Sequence, residues 1–235
     1  MKAFVINLGA RKDRWESVEN QSLALGLTCV RVNAIDAKEL PSGSDDYVTP
    51  GVAAIWISHQ LAMLEFLKCG DEFGLILEDD FLINQGFQKH LKKLVGFGEF
   101  DFLQLGYLNS SVFEFSRIKI ANVRDLFFKL LFKVTNRSKL HHFFLAKKFF
   151  VLEQRGIPFP LVQSDIRAGA HAYIISREFA TAALKMNIPI FISADAYFIA
   201  LGGMRTFKMS RSRVNLVRQS SSPSSIRTRF KSETI

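Results

Sequence analysis

Residues 75–83 read Leu-Ile-Leu-Glu-Asp-Asp-Phe-Leu-Ile, with three consecutive carboxylates, Glu78, Asp79 and Asp80, between two apolar runs. Adjacent negative charges at the end of a buried strand repel one another and resist desolvation, so the pattern calls for a positive partner. A hard divalent cation, Mn²⁺ or Mg²⁺, suits it: such ions take carboxylate oxygens and keep positions open for substrate phosphates. The plainer reading is a solvated acidic turn capping the next helix, as short acidic motifs often are. The apolar flanks weigh against that, because they bury the base of the cluster. A second polar stretch, Ile-Asn-Leu-Gly-Ala-Arg-Lys-Asp-Arg at 6–14, carries Asn7 at a strand end and Arg11 and Arg14 just beyond it. Asn7 can hydrogen-bond a ligand edge, and the paired donors of arginine suit phosphate oxygens. Alone, this stretch reads as a solvated basic helix start. Opposite a metal site it becomes a cradle for a nucleoside diphosphate.

The elements that position these residues alternate. Residues 3–8 are a short apolar strand, 13–25 a helix closed by Gly26, and 28–35 a second strand. After a polar loop at 41–49, Thr49 can cap a helix whose first residue is Pro50 and which runs towards Gly70. The strand ending at Glu78 follows, then an amphipathic helix over 85–95 ending at Gly96, and a strand over 101–107. Residues 1–107 therefore predict a parallel α/β sheet, in which ligands gather at the carboxyl ends of strands. Both polar clusters lie at such ends. Regular patterning returns with a strand at 171–176, a helix at 177–186, a strand at 188–193 and a helix at 194–203.

The chain has 235 residues, enough for one large α/β domain, and its 48% apolar content excludes a mostly disordered protein. A formal charge of +9 points to an anionic partner. Residues 111–155 carry nine Phe, and ten Lys or Arg against three Asp or Glu, a local balance of +7. Aromatics beside cations in helix-like blocks are what an interfacial helix presents to an anionic membrane surface; the competing reading is a second small core. His141 and His142 fall in this segment. From Arg205 onward eight Lys or Arg stand against Glu233 alone, and a Ser-rich stretch at 220–225 reads as partly mobile. The two cysteines, Cys29 and Cys69, have neither zinc-knuckle nor redox spacing, no apolar run approaches a spanning helix, and the first residues read as a strand. The expectation is a cytoplasmic protein, peripheral on the inner face of the cell membrane.

In their order, the stretches at 6–14, Asn-Ala-Ile-Asp-Ala at 33–37, Ile-Ser-His at 57–59, Leu-Ile-Leu-Glu-Asp-Asp at 75–80, Asp-Phe-Leu-Gln-Leu-Gly at 101–106, 171–176 and Ala-Asp-Ala-Tyr-Phe at 194–198 resemble glycosyltransferase family 25, the lipooligosaccharide and collagen galactosyltransferase group. The resemblance spans most of residues 1–201. It implies a nucleotide-sugar transferase type A fold, Rossmann-like with a mostly parallel sheet, formed by residues 1–204. The Phe-rich 111–155 is then a basic helical insertion and 205–235 a basic C-terminal segment. It implies an inverting, metal-dependent transfer of a hexose, galactose above glucose, from a UDP-sugar donor to a lipooligosaccharide or lipopolysaccharide acceptor. The implied donor contacts are Asn7, Leu8, Arg11, Arg14, Asp36, His59, Glu78 and Asp79, with Asp80 and Glu78 as ligands of Mn²⁺ or Mg²⁺. Asp195 is the implied base, against its plainer use as a helix N-cap; Asp165 is the second candidate. His59 and His171 have the ambiguity of any buried histidine. The chain departs from the family where Ala54 and Ile55 replace a Gly-Cys pair. It departs again in having no His after His171, which leaves Gln219 or solvent for a third metal ligand that is often histidine.

Two other classes fit part of the pattern. A metal-dependent phosphatase or nuclease also uses strand-end acids, but needs more carboxylates on adjacent strands than the chain offers. A non-catalytic membrane-binding module accounts for the basic aromatic stretches and leaves the acids unexplained. Nucleic-acid binding is not expected, since its aromatics interleave with phosphate-binding residues on strands, whereas these Phe fall in helix-like blocks.

Overall fold

The computed structural model describes residues 1–40, 48–84, 86–96, 100–108, 161–163, 165–204, 206–212 and 215–220. The basic aromatic stretch at 111–155, with His141 and His142, lies outside the described residues, as does the Ser-rich stretch from 221 onward.

Strands β1 (Ala3–Asn7), β2 (Cys29–Asn33), β3 (Phe73–Glu78), β5 (Phe102–Gly106), β6 (Leu161–Gln163), β7 (Ala172–Ser176) and β8 (Met209–Ser212) form one sheet in the order β2-β1-β3-β7-β5-β8-β6. A two-stranded sheet joins β4 (Phe81–Ile83) to β9 (Val217–Gln219). The helices are α1 (Lys12–Leu25), α2 (Pro50–Lys68), α3 (Phe87–Gly96), α4 (Arg177–Ala183) and α5 (Ala194–Met204). β1, β2, β3, β5 and β8 run one way, while β7 and β6 run against their neighbours. This is the α/β, mostly parallel architecture the sequence predicts, with one difference inside residues 1–107: β3 and β5 are not neighbours, because β7 lies between them antiparallel to both.

Strand pleating assigns the two faces. Phe4, Ile6, Ile76, Phe102, Tyr173 and Ile175 pack in one layer with α2, α4 and α5, through Trp56, Phe66, Phe179 and Phe198. Ala3, Val5, Leu75, Leu77, Leu103, Leu105 and Ile174 pack in the other, with Val18 of α1 and Phe87, Leu91 and Leu94 of α3. Both faces are covered, which is why these strands read as continuous apolar runs rather than alternating ones.

Three local outcomes differ from the sequence reading. Residues 188–193 form no strand: the Asn187 side chain accepts from the Phe191 N–H at 3.0 Å and donates to the Ile192 carbonyl at 3.1 Å. A side chain thus bonds backbone groups that a ladder would need. The first turn of α2 follows Thr49 with Pro50 at its start, as expected, but Thr49 makes no side-chain cap bond. Residues 209–212 and 217–219, within the stretch read as a basic C-terminal segment, are the strands β8 and β9.

Gly74 lets α2 lie close on the sheet. A Cβ there would meet the Phe66 ring at 2.5 Å (Cδ2) and 2.7 Å (Cγ). That ring is held edge-on to Phe4 at 5.9 Å and under the Arg177 guanidinium at 5.8 Å. Gly74→Ala overpacks this contact, and urea unfolding is expected to give a loss of about 1–3 kcal/mol.

Candidate active site at the end of strand β3

The pleat also divides the three acids. Ile76 faces the α2 layer, so Glu78, two residues on, faces it as well; Leu77 faces the α1 layer, and Asp79 follows. Backbone pairing with β1 continues past the strand, the Asp79 N–H donating to the Ile6 carbonyl at 3.1 Å, so the alternation holds as far as Asp79.

On the α1 side Asp79 is 8% exposed and fully engaged. The Asn7 amide donates to its Oδ2 at 2.7 Å and Arg14 Nη1 to its Oδ1 at 2.7 Å. Asn7, itself 1% exposed, accepts from Arg31 of β2. The two polar clusters, both at carboxyl ends of strands, are thus joined by direct hydrogen bonds. Arg11 takes a different part: its guanidinium donates to both oxygens of Asp13, at 2.9 and 2.7 Å, and that pairing holds the Asp13 carboxyl at about 2. The Leu8 carbonyl accepts from the Arg11 N–H at 2.8 Å, and the Asp36 carboxylate accepts from the Lys38 N–H at 3.0 Å in the turn after β2.

On the α2 side, Glu78 Oε1 is 3.6 Å from His59 Nε2, and Glu78 Oε2 accepts from Gln219 at 3.2 Å. Burial pushes the Glu78 carboxyl up, but His59, His171 and Gln219 outweigh it and hold the group below its ordinary range. His59 is oriented from behind by the Tyr173 hydroxyl, 2.9 Å from its Nδ1. Asp195, in the first turn of α5, is largely buried and within electrostatic reach of Glu78, His59 and His171. Burial first, then Glu78, raises its pKa. The helix cap that Asp195 might have supplied comes instead from Ser193, whose hydroxyl accepts from the Ala196 N–H at 3.3 Å. The other acid weighed as a base, Asp165, is ion-paired with Arg211 of β8 and lies 3.6 Å from Arg167.

Asp80 is the exception. It lies 3.7 Å from Arg14, its Oδ1 is buried without a hydrogen-bond partner, and burial together with Glu78 and Asp79 raises its pKa to about 6. Among the described residues no three His, Cys, Asp or Glu are gathered as a metal-ligating set. A Mn²⁺ or Mg²⁺ bound with a diphosphate needs only one or two carboxylates, the rest of its shell being phosphate and water. Asp80, with its unpartnered oxygen, and Glu78 beside it fit that donor set; Asp79, engaged on both oxygens, does not.

Arg31 and Tyr173 were not singled out from the sequence. Tyr173 shares its strand with Ile175, so counting parity would have put it on the α2 face; Arg31 shares a face with Asn7 only through the register of β2 on β1, which the sequence does not give.

A model of glycosyltransferase family 25, described as an LPS biosynthesis protein, matches residues 1–199. The chain belongs to that family and is a glycosyltransferase, acting on a sugar donor and an acceptor. No curated protein matches it. Among solved structures it is similar to A197 from STIV, at 14% identity over 92% of this chain and 83% of that one, with a TM-score of 0.45. It is also similar to TarS 1–349 from S. aureus, at 15% identity over 94% of this chain and 61% of that one, with a TM-score of 0.40.

The unequal surroundings of Asp79 and Asp80 predict opposite effects of the same substitution. Asp79→Asn replaces one of the two acceptor oxygens by a donor, so that the Asn7 and Arg14 hydrogen bonds cannot both be kept, and removes the charge that pairs with the guanidinium; it is expected to cost about 2 kcal/mol. Asp80 titrates at about 6 in the folded chain, above its unfolded value, so its ionisation opposes folding as the pH rises through that range. Asp80→Asn removes this cost and is expected to stabilise the metal-free protein by roughly 1–3 kcal/mol at pH 7.5 and hardly at all near pH 4. Urea unfolding of both variants at the two pH values checks the pair.

Proposed function

We propose that this glycosyltransferase moves a hexose, galactose in our reading, from a UDP-sugar to a lipooligosaccharide or lipopolysaccharide acceptor, with inversion and with Mn²⁺ or Mg²⁺, on a type A nucleotide-sugar transferase fold. The observation that carries the reading is that Asp195 lies buried within electrostatic reach of Glu78, His59 and His171, since a carboxylate freed from capping and raised in pKa by burial is suited to act as a base.

Asp195 takes the proton from an acceptor hydroxyl as that oxygen attacks the anomeric carbon from the face opposite the diphosphate. The new C–O bond forms as the bond from that carbon to the UDP oxygen breaks. Asp80 and Glu78 would hold the cation, which would supply neutralisation of the leaving diphosphate. In this reading Leu8 would lie toward the nucleoside and Arg14, with Arg11, toward the diphosphate, while Asn7, buried and bonded to Asp79 and Arg31, would hold Asp79 in place rather than touch the donor. His59, oriented by Tyr173, keeps Glu78 ionised and in place. Because the Asp195 pKa is raised, kcat/KM should fall on acidification at a higher pH than the ~3.9 of an unperturbed Asp.

Two substitutions separate donor binding from chemistry. Asp195→Asn should leave UDP-galactose binding near normal while transfer slows roughly 100-fold or more; weakened donor binding with a normal rate at saturation would overturn the assignment. Asp80→Asn should abolish the Mn²⁺-dependent part of UDP affinity measured by calorimetry, and an unchanged affinity would sink the metal role.

The same reading puts the enzyme on the cytoplasmic face of the membrane, with 111–155 and the Arg-rich C-terminal stretch against anionic lipid. Among the described residues no helix is long and apolar enough to cross a membrane. Each cation near such a surface contributes about 1 kcal/mol. Replacing Phe143, Phe144, Phe149 and Phe150 by Ser should release the protein from anionic vesicles in co-sedimentation without lowering its melting temperature. Unfolding of that variant would instead make the segment a core.

A further inference from the structure

Arg167 is held at more points than an arginine turned to water needs. Gln104, buried in the middle of β5, grips its main chain on both sides, the side-chain amide donating to the Arg167 carbonyl at 2.7 Å and accepting from the Arg167 N–H at 2.9 Å. Arg211, the register neighbour of Gln104 on β8, anchors the same stretch through Asp165, whose Oδ2 accepts from Arg211 Nε at 2.9 Å and from its Nη2. The Arg167 guanidinium lies over the Tyr107 ring at 5.6 Å, and Arg211 lies over the same ring at 5.1 Å. Each of these contacts removes conformational freedom that a solvated side chain keeps.

Charge is left over in this cluster. Among the described residues Asp165 is the one carboxylate beside the two guanidinium groups, and both approach a single oxygen of it, Oδ2. Arg211, 8% exposed, takes that oxygen by hydrogen bonds; Arg167 stands 3.6 Å off, beyond hydrogen-bond distance, and is 33% exposed. One carboxylate offsets one guanidinium, so Arg167 keeps its charge and its planar fork of donors, the geometry that suits a phosphate or carboxylate.

The place of the cluster narrows its use. Tyr107 directly follows the end of β5, at the same edge of the sheet as Glu78, because β5 and β3 both run against β7. In sheet order β5 and β8 are two and three strands from β3, about 10 and 14 Å at ordinary strand spacing. A diphosphate neutralised at Asp80 is out of reach from there. An acceptor oligosaccharide whose end lies at the acids is long enough to span the gap.

We propose that Arg167, backed by Arg211 and Tyr107, binds an anionic group of the acceptor, a phosphate or carboxylate carried inward of the sugar that is extended. The inference deepens the reading of the acceptor given above and rests on it.

The test uses the full chain saturated with UDP and Mg²⁺, so that the donor site is filled, and titrates inorganic phosphate and acetate into wild type, Arg167→Gln and Arg167→Lys by calorimetry. The wild type is expected to bind at least one of the two anions, and Arg167→Gln to bind it about 10-fold more weakly, the scale of one charge-assisted hydrogen bond. Arg167→Lys, which keeps the charge without the fork, falls between them. UDP affinity and melting temperature stay at wild-type values, since both variants keep the main-chain atoms that Gln104 holds. With UDP-galactose and deacylated lipooligosaccharide, Arg167→Gln raises the acceptor KM by about 10-fold at unchanged kcat. Neither anion binding to the wild type, equal anion affinity in Arg167→Gln, an unchanged acceptor KM or early melting of both variants overturns the proposal. So does a variant that keeps its KM but no longer sediments with phosphatidylglycerol vesicles, which makes the cation a lipid contact. A wild-type enzyme that transfers nothing to lipooligosaccharide defeats the acceptor reading, and the anion titration then decides the site by itself.

Discussion

Three carboxylates in sequence at the end of a buried strand are tolerable because the pleat turns Glu78 and Asp79 to opposite layers, where each finds its own partners. Unit charges about 5 Å apart repel by roughly 3 kcal/mol at the effective dielectric of a protein near its surface, so an undivided cluster would oppose the fold that contains it. Asp79 is turned to the α1 layer and met by Asn7 and Arg14, and Arg31 buttresses Asn7 from β2. Glu78 is turned to the α2 layer and met by His59 and Gln219. Asp80 remains incompletely compensated, its pKa raised to about 6 and one oxygen without a partner. Stability is thus held below its optimum at one carboxylate, as functional sites commonly require.

The antiparallel insertion of β7 between β3 and β5 brings the last third of the chain to this cluster. Its residues on the α2 side include Tyr173, which orients His59 and stacks on Phe102 at 5.1 Å and against Phe198 of α5 at 5.0 Å. These ring contacts seat α5 on the sheet, and bring Asp195 in its first turn within electrostatic reach of Glu78. The aromatic core and the polar site are one construction: the rings fix the helix, and the helix carries the acid.

β9 closes the site from the other side. It pairs with β4, directly after the acids, and delivers Gln219 to Glu78. The Ser220 N–H donates to the Asp80 carbonyl at 2.7 Å, and the Val217 carbonyl lies 3.1 Å from His171 Nε2. Residues past 204 therefore contribute to the geometry of the acidic turn, although their composition reads as a basic tail.

The sequence by itself determined the apolar periods, the ends of the first two helices and the clustering of acids and arginines, because these depend on neighbours a few residues apart. Gly26 closes α1 in the left-handed conformation, Pro50 opens α2, and β3 spans the same residues, Phe73 to Glu78, as its pattern predicts. The family resemblance likewise rested on short stretches in order, and the match over residues 1–199 bears it out. What only the tertiary structure decided is which of those stretches lie side by side. That β7 separates β3 from β5, that β8 and β9 rejoin the sheets, and that Arg14 pairs with Asp79 are outcomes of long-range packing. Local propensity cannot rank such alternatives, because each leaves the periodicity of every element unchanged and differs only in which buried charges find partners.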